Sequence, residues 1–101
     1  MNKALLVAAA IAALGTMQVA QAAGDAAAGA AKAKSCAGCH GPKGEGVGAN
    51  PKLAGKPQAD MAQALKDYKS GKRPNAVMKT FANGMSEQDM ENVAAYYAAQ
   101  K

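Results

Sequence analysis

Past residue 22 this chain has very little from which to build a core. Between Ala23 and Lys101 the large apolar side chains are Leu53, Leu65, Val47, Val77, Val93, Met61, Met78, Met85, Met90, Phe81, Tyr68, Tyr96 and Tyr97. That stretch holds no isoleucine, and the chain holds no tryptophan. Half of the residues count as hydrophobic, but most of those are alanine. Burying a leucine or phenylalanine stabilises by about 2 kcal/mol and an alanine by far less. Domains this small are marginal even with well-filled interiors. Something else must fill the middle, and the candidates are a second chain or a large apolar cofactor.

The first residues follow a different pattern. Lys3 precedes an unbroken apolar run of eleven residues, Ala4 to Leu14, and Ala20-Gln21-Ala22 then places small residues where signal peptidase reads them. This is the pattern of a cleaved signal peptide, residues 1–22, cut after Ala22. The rival, an uncleaved anchor, needs roughly 20 apolar residues. The expected working domain is therefore residues 23–101, exported to the periplasm, with no membrane span. Without Lys3 it carries 11 Lys and Arg against 7 Asp and Glu, a formal +4. The basic residues are not interleaved with aromatics, which argues against nucleic-acid binding.

Helix is the expected secondary structure throughout. The only β-branched residues after Ala23 are Val47, Val77, Thr80 and Val93, and no two are adjacent, so strands have little to grow from. Asp25 can cap a helix over Ala26 to Ser35. Gly41 to Pro57 reads as loop, with five glycines and three prolines in seventeen residues, long enough to suggest that it wraps something. Gln58 to Ser70 is a second helix with Met61, Leu65 and Tyr68 on one face, ended by Gly71. Asn75 to Asn83 is a short helical turn opened by Pro74 and closed by Gly84. Ser86 to Gln100 is the last helix. Ser86 and Asp89 have capping-box spacing, Met85 and Met90 staple spacing, and Met90, Val93, Ala94 and Tyr97 share a face bordered by Tyr96. The fold class is all-α, in one domain without internal repeats.

The whole stock of cysteine and histidine lies in Cys36-Ala37-Gly38-Cys39-His40. This excludes a four-ligand zinc site within the chain and a disulfide-rich scaffold. In C-x-x-C-H, a helical turn sets two thiols over one porphyrin edge, where they add across the haem vinyl groups as thioethers. The following His then lies under the iron as an axial ligand. The competing readings are a redox-active dithiol, which belongs beside a βαβ pattern absent here, and a chance disulfide. A single covalent haem c, bound through Cys36 and Cys39 with His40 on the iron, would also supply the missing core.

The sixth iron ligand must come from elsewhere. With one histidine, bis-histidine ligation is excluded, and methionine is the natural alternative. Met61 and Met90 sit on amphipathic helix faces, and Met85 is accounted for by the staple. Met78 lies between the second and last helices, 38 residues after His40. It is the preferred ligand, with Met85 as fallback. The competing role for Met78 is packing beside Val77 and Phe81. Spacing alone leaves the choice open.

The sequence resembles a small bacterial class I cytochrome c, close to the cytochrome c-553 group and to single halves of the tandem two-haem cytochromes. The resemblance spans Ala23 to Lys101. It is carried by Gly24-Asp25 through Cys36-Ala37-Gly38-Cys39-His40-Gly41, by Asn50-Pro51-Lys52-Leu53-Ala54-Gly55, by Arg73-Pro74-Asn75-Ala76-Val77-Met78, and by Ser86-Glu87-Gln88-Asp89 leading to Ala94-Ala95-Tyr96-Tyr97. It implies that the first and last helices cross, with further helices and loops around one haem. It places the axial methionine eight residues before the Ser of the last helix, which is Met78. It also implies that the Pro51 carbonyl accepts from His40, and that Tyr96 packs near Ala28 and Gly29. One position departs: the residue before that Ser is usually Leu, and here it is Met85.

Together these readings imply a monomeric electron-transfer protein rather than an enzyme. A haem iron closed by His40 and a methionine thioether has no open position, and suits reversible outer-sphere transfer of one electron. Lys43, Lys52, Lys56, Lys72, Arg73 and Lys79 lie in segments expected near the haem crevice, and could steer the protein to acidic docking faces on redox partners. They serve equally as solubilising charge. The alternative function is a labile or open sixth site working on gases or peroxide, or an electron-entry subunit of a larger oxidoreductase.

Overall fold

The computed structural model describes residues 24–101, so the expected signal peptide and its cleavage point lie outside the described residues. The described chain forms α1 (Ala26–Lys32), α2 (Lys34–His40), α3 (Gln58–Ser70), α4 (Ala76–Asn83) and α5 (Glu87–Ala98). No strand is found among the described residues, only an isolated antiparallel bridge between Val47 and Asn50.

The caps set the helix ends as local chemistry dictates. The Asp25 carboxylate accepts from the Ala27 and Ala28 N–H groups at 2.9 and 3.2 Å, satisfying donors that have no helical partner. Ser86 and Asp89 close a full capping box at α5, each bond 3.0 Å. Gly71 ends α3 in the left-handed conformation, φ 84°. The cap of α4 is Asn75, whose side chain accepts from the Met78 N–H at 3.0 Å; Pro74 lies outside the helix. The first helix differs from expectation. It is broken at Ala33 and resumes through the cysteine motif to His40, instead of stopping at Ser35.

Helix α1 packs on α5 more extensively than any other pair, followed by α3 on α5. The α1–α5 crossing is at Gly29. A methyl group there would collide with the Asn92 carbonyl and lie 3.0 Å from the Tyr96 Cβ, so only glycine admits so close an approach. Tyr96 therefore borders Gly29 as the resemblance implied. Asn92 also fixes the start of α1, its side-chain oxygen accepting from the Asp25 N–H at 2.8 Å.

The interior is a cluster of Met61, Ala62, Leu65, Met85, Met90, Val93, Ala94 and Tyr97, with Ala33 and Ala82. Tyr97, Met90 and Val93 are its largest fully buried side chains. The expected faces of α3 and α5 are thus the buried ones. Not every large apolar residue joins them. Val47, Val77 and Phe81 stay 55 %, 62 % and 41 % exposed, and all three belong to the loop after His40 or to α4.

Candidate functional site

Helix α2 carries the cysteine motif on its last two turns. Cys36 and Cys39 are three residues apart, which puts them on one helix face. Cys36 is half-buried against the core, and Cys39 is exposed. Burial pushes the Cys36 thiol above its ordinary range, while hydrogen bonding from Ser35 and Tyr97 pulls partly back. The Tyr97 phenol is also raised, first by burial and then by its neighbour Cys36.

His40 ends α2 and is 7 % exposed. Its Nδ1 lies 2.8 Å from the Pro51 carbonyl oxygen. A carbonyl only accepts, so Nδ1 carries the proton and Nε2 keeps its lone pair. No buried side-chain nitrogen or oxygen among the described residues lacks a partner. The bond to Pro51 thus leaves Nε2 as the ring nitrogen that can ligate, on the side of the ring away from that carbonyl.

The loop that brings Pro51 to the ring is built on main-chain bonds. The last carbonyls of a helix need outside partners. The Cys39 carbonyl accepts from Asn50 Nδ2 at 2.9 Å, and the His40 carbonyl from the Gly46 N–H at 2.7 Å. Gly41 turns the chain out of α2 at φ 97°. The Gly44 carbonyl accepts from Leu53 and Ala54 at 2.7 and 2.9 Å, and the Gly55 N–H donates to Tyr97 at 2.9 Å, tying the loop to α5. Gly44, at φ 76°, lies so close to Tyr97 that a Cβ would sit 2.6 Å from the ring. Glu45 folds over the Lys43 N–H at 2.8 Å, and main-chain N–H groups hold its carboxyl below the usual range.

The methionines separate by environment. Met61, Met85 and Met90 are buried in the core, and Met78, on the first turn of α4, is half-buried at its edge. Val77 and Phe81 are exposed rather than packed into an apolar cluster around Met78. The Met85 carbonyl accepts from Lys69 Nζ at 2.8 Å. Helices α2 and α4 pack on α1 and α3 respectively, with no comparable contact between them.

The donor set fits a covalently held haem: two thiols on one helical turn, a histidine oriented through Nδ1, and a thioether at the edge of the core. Sequence reasoning passed over Asn50 and Lys69. An Asn before Pro in a Gly-rich loop signals a turn, so Asn50 was findable in kind. Nothing in the sequence marks Lys69.

The six cations expected near the crevice are all exposed. The ion pairs among the described residues use Lys32 with Asp89 and Lys66 with Glu91 instead. No helix of the described residues is long and apolar enough to cross a membrane.

A family model for cytochrome c matches residues 25–100. Cytochrome c4 of Pseudomonas aeruginosa is 43 % identical over 63 residues, covering 61 % of this chain and 31 % of that protein. Cytochrome c-554(548) of Halomonas halodenitrificans is 39 % identical over 66 residues, covering 61 % of this chain and 80 % of that protein. The crystal structure of reduced recombinant cytochrome c4 from Pseudomonas stutzeri superposes with a TM-score of 0.74 at 36 % identity, over 78 % of this chain and 47 % of that one. The chain thus spans less than half the length of the cytochromes c4 and most of the smaller relative.

Proposed function

Because this chain belongs to the cytochrome c family, whose members carry covalently bound haem c and transfer electrons, we propose that it is a soluble periplasmic one-electron carrier with a single haem c. In this reading residues 1–22 are removed as a signal peptide and residues 23–101 form the haem domain. Cys36 and Cys39 hold the porphyrin as thioethers, and His40 and Met78 are the axial ligands, with Met85 as the fallback for Met78.

The observation that carries the reading is the 2.8 Å bond from His40 Nδ1 to the Pro51 carbonyl. It fixes the tautomer, aims Nε2, and makes the ring a stronger donor. The haem supplies a reversible ferric–ferrous couple. The protein orients His40, keeps the ring buried, and offers the Met78 thioether, which favours ferrous iron. With both axial positions filled, the chain binds no substrate at the metal and is not an enzyme in its own right. Lys43, Lys52, Lys56, Lys72, Arg73 and Lys79 would steer it to acidic faces on its donor and acceptor, at rates that fall as salt rises.

The test is optical. The purified protein should show a low-spin c-type spectrum and the weak near-infrared band of methionine on ferric haem. The reduced form should ignore carbon monoxide. Met78→Ala should abolish the band. A wild-type protein that binds carbon monoxide at once would turn the reading to gas or peroxide chemistry, and one that carries no haem after export would end both.

A further inference from the structure

We infer that the C-terminal turn of α3 is the seat that positions Met78, acting through Tyr68 and Lys69; the inference rests on Met78 being the axial ligand. Helix α4 packs on α3 and makes no comparable contact with any other helix. Its placement therefore depends on α3. Two adjacent residues near the end of α3 grip the two ends of the α4 segment. Before α4, the exposed Arg73 guanidinium lies over the Tyr68 ring, 4.9 Å from its centroid, within the range of a cation–π contact. The Arg73 N–H also donates to the Asp67 carbonyl at 3.0 Å, so the approach to α4 is fixed in both side chain and main chain. After α4, Lys69 Nζ donates to the Met85 carbonyl at 2.8 Å. That bond brings a cation to the C-terminal end of α4, where the helix dipole favours one. Between the two grips, Asn75 caps the helix at the Met78 N–H.

Tyr68 and Lys69 are thus positioning residues. Neither needs to touch the iron. They hold the segment from Arg73 to Met85 at one height on α3, and the height of Met78 follows. If a grip is released, α4 samples displaced positions, and an external ligand competes better for the sixth site. The apparent affinity of that ligand rises with the fraction of time Met78 is away.

The test uses the exported, haem-loaded protein with imidazole as the probe. Lys69→Met keeps the aliphatic stem and removes the donor. Arg73→Gln removes the cation and leaves Tyr68 half-buried against the core. The double variant should bind imidazole to ferric haem about tenfold more tightly, in line with the loss of one charge-assisted hydrogen bond. Its near-infrared methionine band should weaken at neutral pH. Lys69→Arg by itself, which keeps a cationic donor, should leave both readings as in the wild type. A lowered thermal midpoint with unchanged band and imidazole affinity would reduce Lys69 and Arg73 to general stabilisers and overturn the inference alone. A wild-type protein without the band, or a Met78→Ala variant that keeps it, would remove the ligand reading and this inference with it.

Discussion

Around His40 the ties are short in sequence, and main-chain oxygens accept all of them. Pro51 and Asn50 reach back eleven residues to His40 and Cys39, and Gly46 reaches back six. Around α4 most of the ties are supplied by side chains, the Lys69 ammonium, the Arg73 guanidinium and the Asn75 amide, beside one main-chain bond from the Arg73 N–H to the Asp67 carbonyl. A main-chain carbonyl survives most substitutions, whereas a side-chain grip vanishes with one. The His40 half should therefore resist point mutation except at Asn50, whose side chain is the donor, and where a residue's bulk or φ forbids the loop. The Met78 half should loosen by degrees.

The strongest way to break the first half is to strain its loop. Gly44→Val places a branched side chain at φ 76° and drives its Cβ into the Tyr97 ring. We expect a loss of about 3 kcal/mol, seen as a lower thermal midpoint together with displaced His40 resonances. A variant as stable as wild type would show that the loop can open without cost. On the other half, Asn75→Ala removes the α4 cap and should cost about 1 kcal/mol. The near-infrared methionine band should weaken while the thermal transition shifts only slightly; an unaltered band would count against the claim that α4 is individually adjustable.

Pro51→Ala sharpens the contrast from the opposite direction. The accepting atom is the main-chain oxygen, which alanine retains. The expected penalty is about 0.4–1 kcal/mol, from greater freedom of the unfolded chain, with an unchanged haem spectrum. A large spectral change would mean that the proline ring itself shapes the site.

The smallest expected effect is an acid-side control on the scaffold that both halves share. Main-chain hydrogen bonding from Ser86, aided by Lys32, holds the Asp89 carboxyl below its ordinary value. A depressed native pKa contributes stability above the unfolded value, near pH 4, and loses it as pH falls through the native value. Asp89→Asn, which removes the titrating carboxyl while leaving an oxygen to accept from the Ser86 N–H, should therefore flatten the stability loss below about pH 4, with His40 and Met78 signals responding together. Separate responses would show that α5 does not serve both halves alike.

Much of this was legible from the residues. The bounds of α3, the Asp25 and Ser86 caps and the buried faces of α3 and α5 follow from rules that act within one or two turns. The first helix was harder. High helix propensity runs through the alanine-rich segment without marking the break at Ala33 or the continuation to His40, because propensities differ by only tenths of a kcal/mol per residue. The thirteen large apolar residues could be counted, but not which would stay outside. Val47, Val77 and Phe81 have the same chemistry as their buried counterparts and differ only in where the chain carries them.

By itself, the sequence determined the chemistry available: two thiols and an imidazole on one turn, a shortage of core, and helices with defined ends. These depend on bonds between near neighbours in the chain. The tertiary structure decided the relations across space. It brought the Pro51 oxygen to His40, left Met78 at the edge while burying Met61, Met85 and Met90, and brought Arg73 over Tyr68 and Lys69 to the Met85 carbonyl. Such contacts depend on how the loop closes and how the helices cross at Gly29, and no local preference encodes a distance between residues that meet only after the chain has packed.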